Sequence, residues 1–384
     1  MTDKQVKIFI SSAEVSGDHH AARLMRQFAR DGRKVQWVGL GGPEMENAGC
    51  ILMENLISRS AMLAQALGQV AFYWKLLRRV KKILISEKPD LVITVDSPAW
   101  NIHIAKVARK LGIPVMQYAA PQLWAWAPWR ASKWRKNADR IACILPFEPE
   151  WFAKKNINAT FVGHPLFDDR TVYHKPEVSV DNNSGDDTEP ITVALLPGSR
   201  KHEIDKLWKP MLEIAQRLRC HFGEITFLTA APNPEIVQRL AQDIPADMNV
   251  EFCQQGLVEA TTRADLAIIA SGTATLETAV AGCPMIVIYH VPNWQWHMIG
   301  KVLLTVKYIS LVNILAGKEL VPEFVPFNNR IKEVSETAAA LLNNPAKMEK
   351  VRNELLTLTR SIAENKASVN VAQMAYELLE MNKN

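Results

Sequence analysis

The stretch Ile191–Asp205, ITVALLPGSRKHEID, decides the fold, because it predicts a buried strand, a tight turn and a helix in succession. Its first six residues are apolar or β-branched, which is typical of a strand buried on both faces. Pro197 and Gly198 end the strand, and Ser199 is suited to cap the helix that follows. The turn thus places Ser199, Arg200 and backbone N–H groups at a helix N-terminus, which suits phosphate. An ordinary turn of a parallel sheet is the alternative interpretation.

Apolar strands and helical segments alternate from this stretch in both directions along the chain. Buried strands are expected at residues 6–10, 35–40, 91–95, 113–118, 140–145, 191–196, 224–230, 249–253, 265–270 and 284–289. Helices are expected from near His19, over 203–220, 233–242 and 273–281, and from about 327 onward. This order predicts two α/β units with parallel sheets and a cleft between them, where ligands bind beyond the carboxyl ends of the strands. The polar residues predicted at such ends are Glu14, Asp18, Asp96 and Gln122.

The composition is that of an ordinary globular protein and argues against several classes of protein. The 384 residues predict two or three domains, and 48% hydrophobic residues give ample core. A net charge of +5 is too weak for a dedicated nucleic-acid binder but is compatible with an anionic substrate or a membrane surface. The five cysteines form no CxxC pair or Cys/His cluster, so buried thiols are expected rather than zinc ligands or disulfides. We expect no signal peptide, and no apolar run approaches the ~20 residues that span a bilayer.

A second phosphate-friendly turn lies at residues 270–277, ASGTATLE, directly after an apolar strand. Ser271, Gly272 and Thr273 form a small-residue turn that opens a helix, and Glu277 lies one helical turn further on, where it can accept hydrogen bonds from a ribose. A simple helix cap with a solvated Glu277 is the alternative. Neither a GxGxxG nor a GxxxxGK[ST] fingerprint occurs. Two such turns in one half, with an acidic residue beside one, predict a site for a nucleotide diphosphate.

Eight motifs follow one another in a specific order along the chain. They are SSAEVSGDHHAARL, DSPAWN, PQLWAWAPWRASK, LPFEPEWF, VGHPL, LLPGSR, ASGTATLE and YISLVNILAGKEL. Together they resemble the lipid-A-disaccharide synthase family over nearly the whole chain, apart from residues 171–190. The resemblance implies the GT-B architecture, an α/β fold of two facing Rossmann-like domains with a C-terminal helix that crosses back to the first. The implied domains are an acceptor-binding domain at 1–170, a linker or surface loop at 171–190, a nucleotide-sugar-binding domain at 191–360, and the returning helix at 361–384.

The resemblance also implies a reaction. It is an inverting glycosyl transfer in lipid A biosynthesis, from UDP-2,3-diacylglucosamine to 2,3-diacylglucosamine 1-phosphate (lipid X), which yields the tetraacyl disaccharide 1-phosphate and UDP. No metal or other cofactor is implied, and the chain lacks an Asp-x-Asp motif. The implied location is the cytoplasm, peripheral on the inner face of the inner membrane of Gram-negative bacteria. A homo-oligomer is compatible with the sequence.

Carried over residue by residue, the resemblance assigns roles at both ends of the reaction. Asp96 matches the catalytic aspartate, the expected general base for the acceptor 6′-hydroxyl, and Arg200 matches the arginine that neutralises the leaving diphosphate. The acceptor-side loop is Glu14, Ser16, Gly17 and Asp18. The nucleotide-binding set is Gly198, Ser199, Arg200, Ser271, Gly272, Thr273, Glu277 and Asn313. Three departures from the family pattern bear on acceptor preference, including acyl length, and they are Gln69, Ala99 and Pro326.

Two other functions share part of this pattern. A sugar-nucleotide epimerase on the same fold would use the donor turns but act on one substrate, with no need for an exposed apolar surface. A non-catalytic sensor of a nucleotide sugar would bind the donor without needing Asp96 at a strand end. UDP release that depends strictly on a lipid acceptor discriminates the synthase from both.

Acylated substrates imply a membrane-facing surface. The apolar run at 61–74 and the basic cluster after it are predicted to enter the headgroup boundary and to meet anionic lipid. The membrane-facing residues are Met62, Leu63, Leu67, Phe72, Trp74, Arg78 and Arg79. A second such surface comprises Trp124, Trp126, Trp129 and Trp134 with Arg130, Lys133 and Arg135, and a third comprises Trp294, Trp296 and Lys301. Packing of these side chains in the core is the alternative.

Overall fold

The computed structural model describes residues 5–57, 66–168, 190–199, 201–231, 233–291 and 307–381, with the backbone alone at 66–71 and 361. The chain divides into two compact units. The first unit contains Met1–Asp169 and Glu364–Asn384, and the second contains Arg170–Ala363. The last segment of the chain therefore belongs to the same unit as the first.

The described part of the first unit contains a seven-stranded parallel sheet in the order β3-β2-β1-β4-β5-β6-β7. The strands are β1 (Val6–Ser11), β2 (Val35–Gly41), β3 (Ile51–Asn55), β4 (Leu91–Val95), β5 (Val115–Tyr118), β6 (Arg140–Cys143) and β7 (Ala159–Phe161). The helices are α1 (Val15–Arg30), α2 (Pro43–Asn47), α3 (Ala66–Glu87), α4 (Pro98–Lys110), α5 (Ala131–Asn137), α6 (Glu148–Ala153) and, from the C-terminal segment, α14 (Ala367–Met381).

Both faces of this sheet are covered, which explains why its strands are apolar without alternation. Ile8 and Ile10 of β1 face a layer that contains α1 and α14. Phe9, between them, faces the opposite layer, where Val80 of α3 and Ile104 of α4 lie. The carboxyl ends of the strands consequently open along one edge between the two helical layers, where ligands bind in such sheets.

The second unit repeats the plan. Its described strands form a six-stranded parallel sheet in the order β10-β9-β8-β11-β12-β13. The strands are β8 (Ile191–Leu196), β9 (Ile225–Thr229), β10 (Val250–Phe252), β11 (Leu266–Ala270), β12 (Met285–Ile288) and β13 (Glu323–Phe324). The helices are α7 (Lys201–Phe222), α8 (Pro234–Asp243), α9 (Leu257–Arg263), α10 (Thr273–Val280), α11 (Leu311–Ala316), α12 (Ile331–Leu342) and α13 (Pro345–Ala363).

The predicted fold class is confirmed, and the differences lie at element boundaries. The helix expected from near His19 begins at Val15, and Glu14, directly before it, has an extended backbone. The serine and glycine of its first turn disguise that start in the sequence. The strands at 51–55, 159–161 and 323–324 were not predicted, and all three lie at or near sheet edges, where burial is incomplete. Four of the five cysteines are buried, as expected, and the expectation is wrong for Cys220, which is exposed.

The segment where the chain leaves the first unit contacts the segment where it returns to that unit. The Asp168 carboxylate accepts hydrogen bonds from the Ser368 N–H at 3.0 and 3.2 Å, so the residue that leaves the unit caps the helix that returns to it. A Cβ at Gly163 would lie 2.5 Å from the Asn365 carbonyl oxygen, so only glycine permits this approach. Among the described helices, none combines the length and apolar character needed to cross a bilayer.

Candidate active site

Two consecutive residues at the end of β4 have left-handed backbone angles. Asp96 has φ of 51° and Ser97 has φ of 44°, and neither is glycine. Such a backbone costs of order 1 kcal/mol or more per residue and persists where the surroundings hold it in place. This turn lies at the carboxyl end of a central strand, where the sequence places its candidate base.

The Asp96 carboxylate is half-buried and contacts the first turn of α1. One oxygen accepts from the Ser97 N–H at 2.8 Å and the other from the Ser16 hydroxyl at 3.0 Å. The Ser97 hydroxyl donates in turn to Glu14 at 3.3 Å. The structure therefore brings together Glu14, Ser16 and Asp96, all three of which the sequence assigns to the site.

Gly17 allows this approach of α1 to β4. A Cβ at position 17 would lie 2.4 Å from the Ser12 hydroxyl oxygen and 3.2 Å from the Asp96 Cβ. Any side chain there would push α1 away from the candidate base. Gly17 thus has a packing reason for its place in the motif, whether or not it also touches a substrate.

Asp18 is buried and occupied. Its Oδ1 accepts hydrogen bonds from the N–H groups of Gly42 at 2.8 Å and Met45 at 3.2 Å, and its Oδ2 accepts from that of Glu44 at 3.1 Å. The carboxylate therefore anchors the turn that starts α2. The structure gives Asp18 this positioning role, which the sequence does not reveal, and its contact with the acceptor stays a prediction.

Two fully buried amides that the sequence analysis did not single out lie directly beneath Asp96. The Asn101 side chain donates to the Asp96 carbonyl oxygen at 2.8 Å, and the Gln117 side chain donates to the same oxygen at 3.3 Å. Asn101 is the last residue of the DSPAWN motif, and Gln117 lies in β5. A polar side chain inside an otherwise apolar strand was the available signal for Gln117.

A second polar cluster lies at the same edge, between α1 and the segment after β7. Burial, followed by coulombic interactions with His164, Arg23 and His19, lowers the pKa of His20 to about 3, and burial lowers the pKa of His164 to about 4. Because these pKa values lie far below 7, both imidazoles are neutral at physiological pH. The Tyr118 hydroxyl and the Nδ1 of His20 find no hydrogen-bond partner among the described residues.

The aromatic loop at 121–130 is anchored at one tryptophan and exposed at two others. The Trp124 indole N–H donates to the buried Glu148 carboxylate at 2.9 Å, and burial raises the pKa of Glu148 to about 7. Trp126 is 51% exposed and Trp129 is 63% exposed. Trp134 of α5 is buried, so the predicted second membrane surface is wrong for Trp124 and Trp134.

The predicted membrane segment is only partly described. Met62 and Leu63 lie outside the described residues, as do Trp294, Trp296 and Lys301, and the Leu67 and Gln69 side chains are not described. In α3, Phe72 packs against the core, Trp74 is 53% exposed, and the Arg78 guanidinium stacks over the Trp74 ring at 3.3 Å. Arg79 pairs with Glu54 at 2.9 Å. Phe72 is therefore a core contact, and Trp74 and Arg78 face solvent together.

The second unit contains a cavity of about 460 Å³ at the carboxyl ends of β8 and β11. Its lining includes most of the predicted nucleotide-binding residues, namely Gly198, Ser199, Ser271, Gly272, Thr273 and Glu277. The ends of β9 and β10 contribute Ala230, Ala231, Gly256 and Leu257. The two turns that the sequence predicts to bind phosphate thus meet in one cavity.

The two glycines of this cavity differ in their surroundings. Gly198 has φ of 100°, and a Cβ there would lie 2.3 Å from the Glu203 carboxylate, so this glycine is needed by the backbone. A Cβ added at Gly272 meets no described atom within 4 Å, and Gly272 provides no side-chain cap to α10. The Thr275 N–H donates to the Gly272 carbonyl oxygen at 3.1 Å, and the open space beside Gly272 adjoins the N-terminus of α10, where the helix dipole favours an anion. Arg200 lies outside the described residues.

Asn313 is buried and its amide is fully used. The Nδ2 donates to the Val321 carbonyl oxygen at 2.9 Å and to Glu323 at 3.0 Å, and the Oδ1 accepts from the N–H groups of Leu320 and Val321. The Glu323 carboxylate also accepts from the N–H groups of Ile309 and Ser310. Asn313 therefore holds the loop that leads to β13, and its predicted contact with the nucleotide stays a prediction.

Solved structures with the same fold include enzymes of two kinds. The calicheamicin glycosyltransferase CalG4 superimposes with a TM-score of 0.62 at 16% identity, over 98% of this chain and 99% of that one. MurG from Acinetobacter baumannii gives 0.59 at 16% identity, over 97% and 99%. A putative UDP-N-acetylglucosamine 2-epimerase from Listeria monocytogenes gives 0.60 at 10% identity, over 99% and 97%. These similarities show the GT-B fold and do not separate transferase from epimerase.

Sequence comparison makes that separation. The lipid-A-disaccharide synthetase family profile matches residues 8–376. The lipid-A-disaccharide synthase of Geobacter sulfurreducens is 32% identical over 382 residues, 97% of each chain. That of Syntrophus aciditrophicus is 33% identical over 386 residues, 97% of this chain and 98% of the relative. The chain therefore belongs to the lipid-A-disaccharide synthetase family and is a glycosyltransferase of lipid A biosynthesis.

Proposed function

We propose that this enzyme transfers 2,3-diacylglucosamine from its UDP derivative to 2,3-diacylglucosamine 1-phosphate, with inversion at the anomeric carbon and release of UDP. The family membership carries this proposal, because relatives that cover almost the whole chain are named for the disaccharide product. The paired sites support it, since one unit presents a carboxylate at a strand end and the other a cavity lined by phosphate-friendly turns.

Asp96 is the proposed general base. An inverting displacement needs one group to take the proton of the attacking 6′-hydroxyl as the new bond to the anomeric carbon forms. The half-buried carboxylate is supported by the strained turn beneath it and by Ser16 beside it. Glu14, connected through Ser97, is the second carboxylate of this edge and the proposed contact for the acceptor sugar.

The cavity of the second unit is the proposed site of the UDP moiety. Backbone N–H groups at the start of α10 and in the turn after β8 suit the diphosphate oxygens, since both the donors and the helix dipole favour anions. Glu277 is the proposed partner of the ribose hydroxyls, and it lines the same cavity. Arg200 is proposed to stabilise the charge that grows on the leaving phosphate.

Acylated substrates require access to a lipid surface, and the α3 to α5 side of the first unit is the proposed contact. Trp74, Trp126 and Trp129 are each more than half exposed. Burial lowers the pKa of His103, and the positive charges of Lys133, Lys106 and Arg130 lower it further, which places these three basic residues near one another. Exposed indoles with basic neighbours suit the headgroup boundary of an anionic membrane.

The decisive experiment measures UDP release from the purified full chain with donor alone, acceptor alone and both together. Strict dependence on both substrates, with one disaccharide per UDP, is the expected result. Release of UDP from the donor alone would indicate hydrolysis. Isomerisation of the donor sugar without UDP release would indicate an epimerase and overturn the proposal.

A further inference from the structure

We infer that Asn101 is a positioning residue for the catalytic turn, because its side-chain amide holds the backbone of Asp96 in the conformation that presents the carboxylate. This inference rests on the proposed role of Asp96. It concerns a residue that touches neither substrate nor the reacting atoms.

The Asn101 side chain forms hydrogen bonds to the ends of two strands and to the turn that holds Asp96. Its Nδ2 lies 3.0 Å from the Val95 carbonyl oxygen, 2.8 Å from that of Asp96 and 3.4 Å from that of Ser11. Its Oδ1 accepts from the Ser11 hydroxyl at 3.0 Å. One side chain from the first turn of α4 thus ties the ends of β1 and β4 to each other, and it is fully buried.

Gln117 supports the same turn from β5, the strand that neighbours β4 on the side away from β1. Its Nε2 lies 3.3 Å from the Asp96 carbonyl oxygen and within 3.1 Å of those of Tyr118 and Ala119. Its Oε1 accepts from the Thr94 hydroxyl at 2.6 Å. The Asp96 carbonyl therefore receives donors from two buried amides.

These contacts explain how a strained turn persists. In this left-handed turn the Asp96 carbonyl oxygen accepts from the amides of Asn101 and Gln117, both of which are fully buried. A buried carbonyl without a donor is unfavourable, so the amides make this conformation the stable one. The carboxylate is thereby fixed relative to Ser16, and a fixed base is the condition for efficient proton transfer.

The test is a double-mutant cycle with Asn101→Ala and Asp96→Asn in the full chain. Alanine leaves space for water to donate to the freed carbonyls, which favours folding. In the wild-type background we expect kcat to fall about 10²-fold, as for a misplaced catalytic group, with the KM for the UDP-sugar nearly unchanged. In the Asp96→Asn background the same change should lower kcat less than about threefold, because the two residues act as a unit.

Two further variants keep the test decisive. Gln117→Met removes the second amide at similar size and should show the same coupling to Asp96→Asn, even if Asn101→Ala does not fold. Asn370→Ala is the matched control, since Asn370 also donates to a strand-end carbonyl, that of Val162 at 2.9 Å, but lies in α14. It should lower the melting temperature and leave kcat unchanged.

Additive effects would overturn the inference, as would a near-normal kcat in folded Asn101→Ala and Gln117→Met. An active Asp96→Asn would instead overturn the assignment of the base. The two failures are therefore distinguishable in one set of measurements.

Discussion

The polar edge of the first unit and the cavity of the second are built in opposite ways. Around Asp96 the polar side chains engage one another and the backbone, down to two buried amides that share a single carbonyl oxygen. Around Gly272 the lining is small, and an added Cβ meets no described atom within 4 Å. A general base needs one side chain held in place, whereas a diphosphate bound by backbone N–H groups needs room.

Removal of the proposed base at the polar edge of the first unit should lower kcat more than any other single change. Asp96→Asn keeps the shape of the side chain and its place beside Ser16 but removes its basicity. We expect kcat to fall by about 10²–10⁴ while the protein stays folded. Steady-state UDP release and circular dichroism of the same preparation provide the check. A folded variant with most of its activity would transfer the role to another group, and Glu14 would be tested next.

On the donor side, loss of the charged residue Arg200 should lower kcat more than changes in the backbone of the turn. Arg200→Ala is expected to lower kcat by about 10²–10³, by analogy with the loss of one preorganised donor. Arg200→Lys should restore only part of the rate, because lysine lacks the forked donor face. Near-normal turnover of the alanine variant would remove Arg200 from the proposed mechanism.

The two cavity glycines allow a matched test of the open turn. Gly272→Val should fold normally, since its Cβ position is unobstructed, but should weaken UDP binding about tenfold by filling the space over the first N–H groups of α10. Gly198→Ala should instead lower the melting temperature, because its φ of 100° and the nearby Glu203 carboxylate oppose any side chain. Calorimetric titration with UDP and thermal melts separate the two results. Unchanged UDP affinity in folded Gly272→Val would place the diphosphate elsewhere.

The buried imidazoles of the first unit predict a dependence of its stability on pH. His20 and His164 have pKa values of about 3 and 4 in the folded state, below the ordinary 6.5, so the unfolded state binds more protons as pH falls through 6.5. The free energy of unfolding therefore decreases toward acid. Glu148 acts oppositely between pH 4.5 and about 7, since its raised pKa makes the folded state bind more protons there.

His164→Asn isolates one of these contributions, because asparagine can still accept from the Leu166 N–H but does not titrate. The loss of unfolding free energy between pH 7 and pH 5 should be smaller in this variant by about 2 kcal/mol. Urea unfolding at the two pH values measures it. Equal losses in variant and wild type would mean that the pKa of His164 is the same in the folded and unfolded states.

The smallest expected effect concerns the lipid surface. Replacing the exposed Trp126 and Trp129 with serine should lower sedimentation with anionic vesicles several-fold and raise the KM for lipid substrates, while UDP binding persists. The predicted Met62, Leu63 and Leu67 serine substitutions, whose side chains the structure does not describe, form an independent set. Trp134→Ser, in the core, is the control that should destabilise the first unit. Unchanged vesicle binding in both sets would place the membrane contact elsewhere.

Sequence patterns were sufficient for the fold, because strands buried on both faces leave continuous apolar runs such as Leu91–Val95 and Leu266–Ala270. They were insufficient where burial is partial, as in the edge strand Ile51–Asn55, and where a helix begins with residues of low helix propensity, as at Ser16 and Gly17. Local propensity is a weak signal when tertiary contacts decide the conformation.

The candidate site was predictable in part for a related reason. The motifs predict which residues belong to the site, and Asp96, Ser16 and Glu14 lie together in the structure. They do not reveal which polar atoms the fold itself uses, as in Asp18, which accepts from N–H groups of residues 42–45, and in Asn313, which hydrogen-bonds to residues 320–323. The supporting amide of Gln117 lies outside every motif, and only the pairing of β4 with β5 brings it beneath Asp96.

The return of α14 to the first unit has a consequence for synthesis of the protein. Val371, Met374 and Leu378 of this helix cover the same face of the first sheet as Ile8 and Ile10. A ribosome delivers these covering residues only after all of the second unit has emerged. The nascent first unit therefore has α1 on this sheet face but lacks the cover of α14 throughout the translation of residues 170–363, and the part of the face that α14 later covers is the expected binding surface for chaperones on the growing chain.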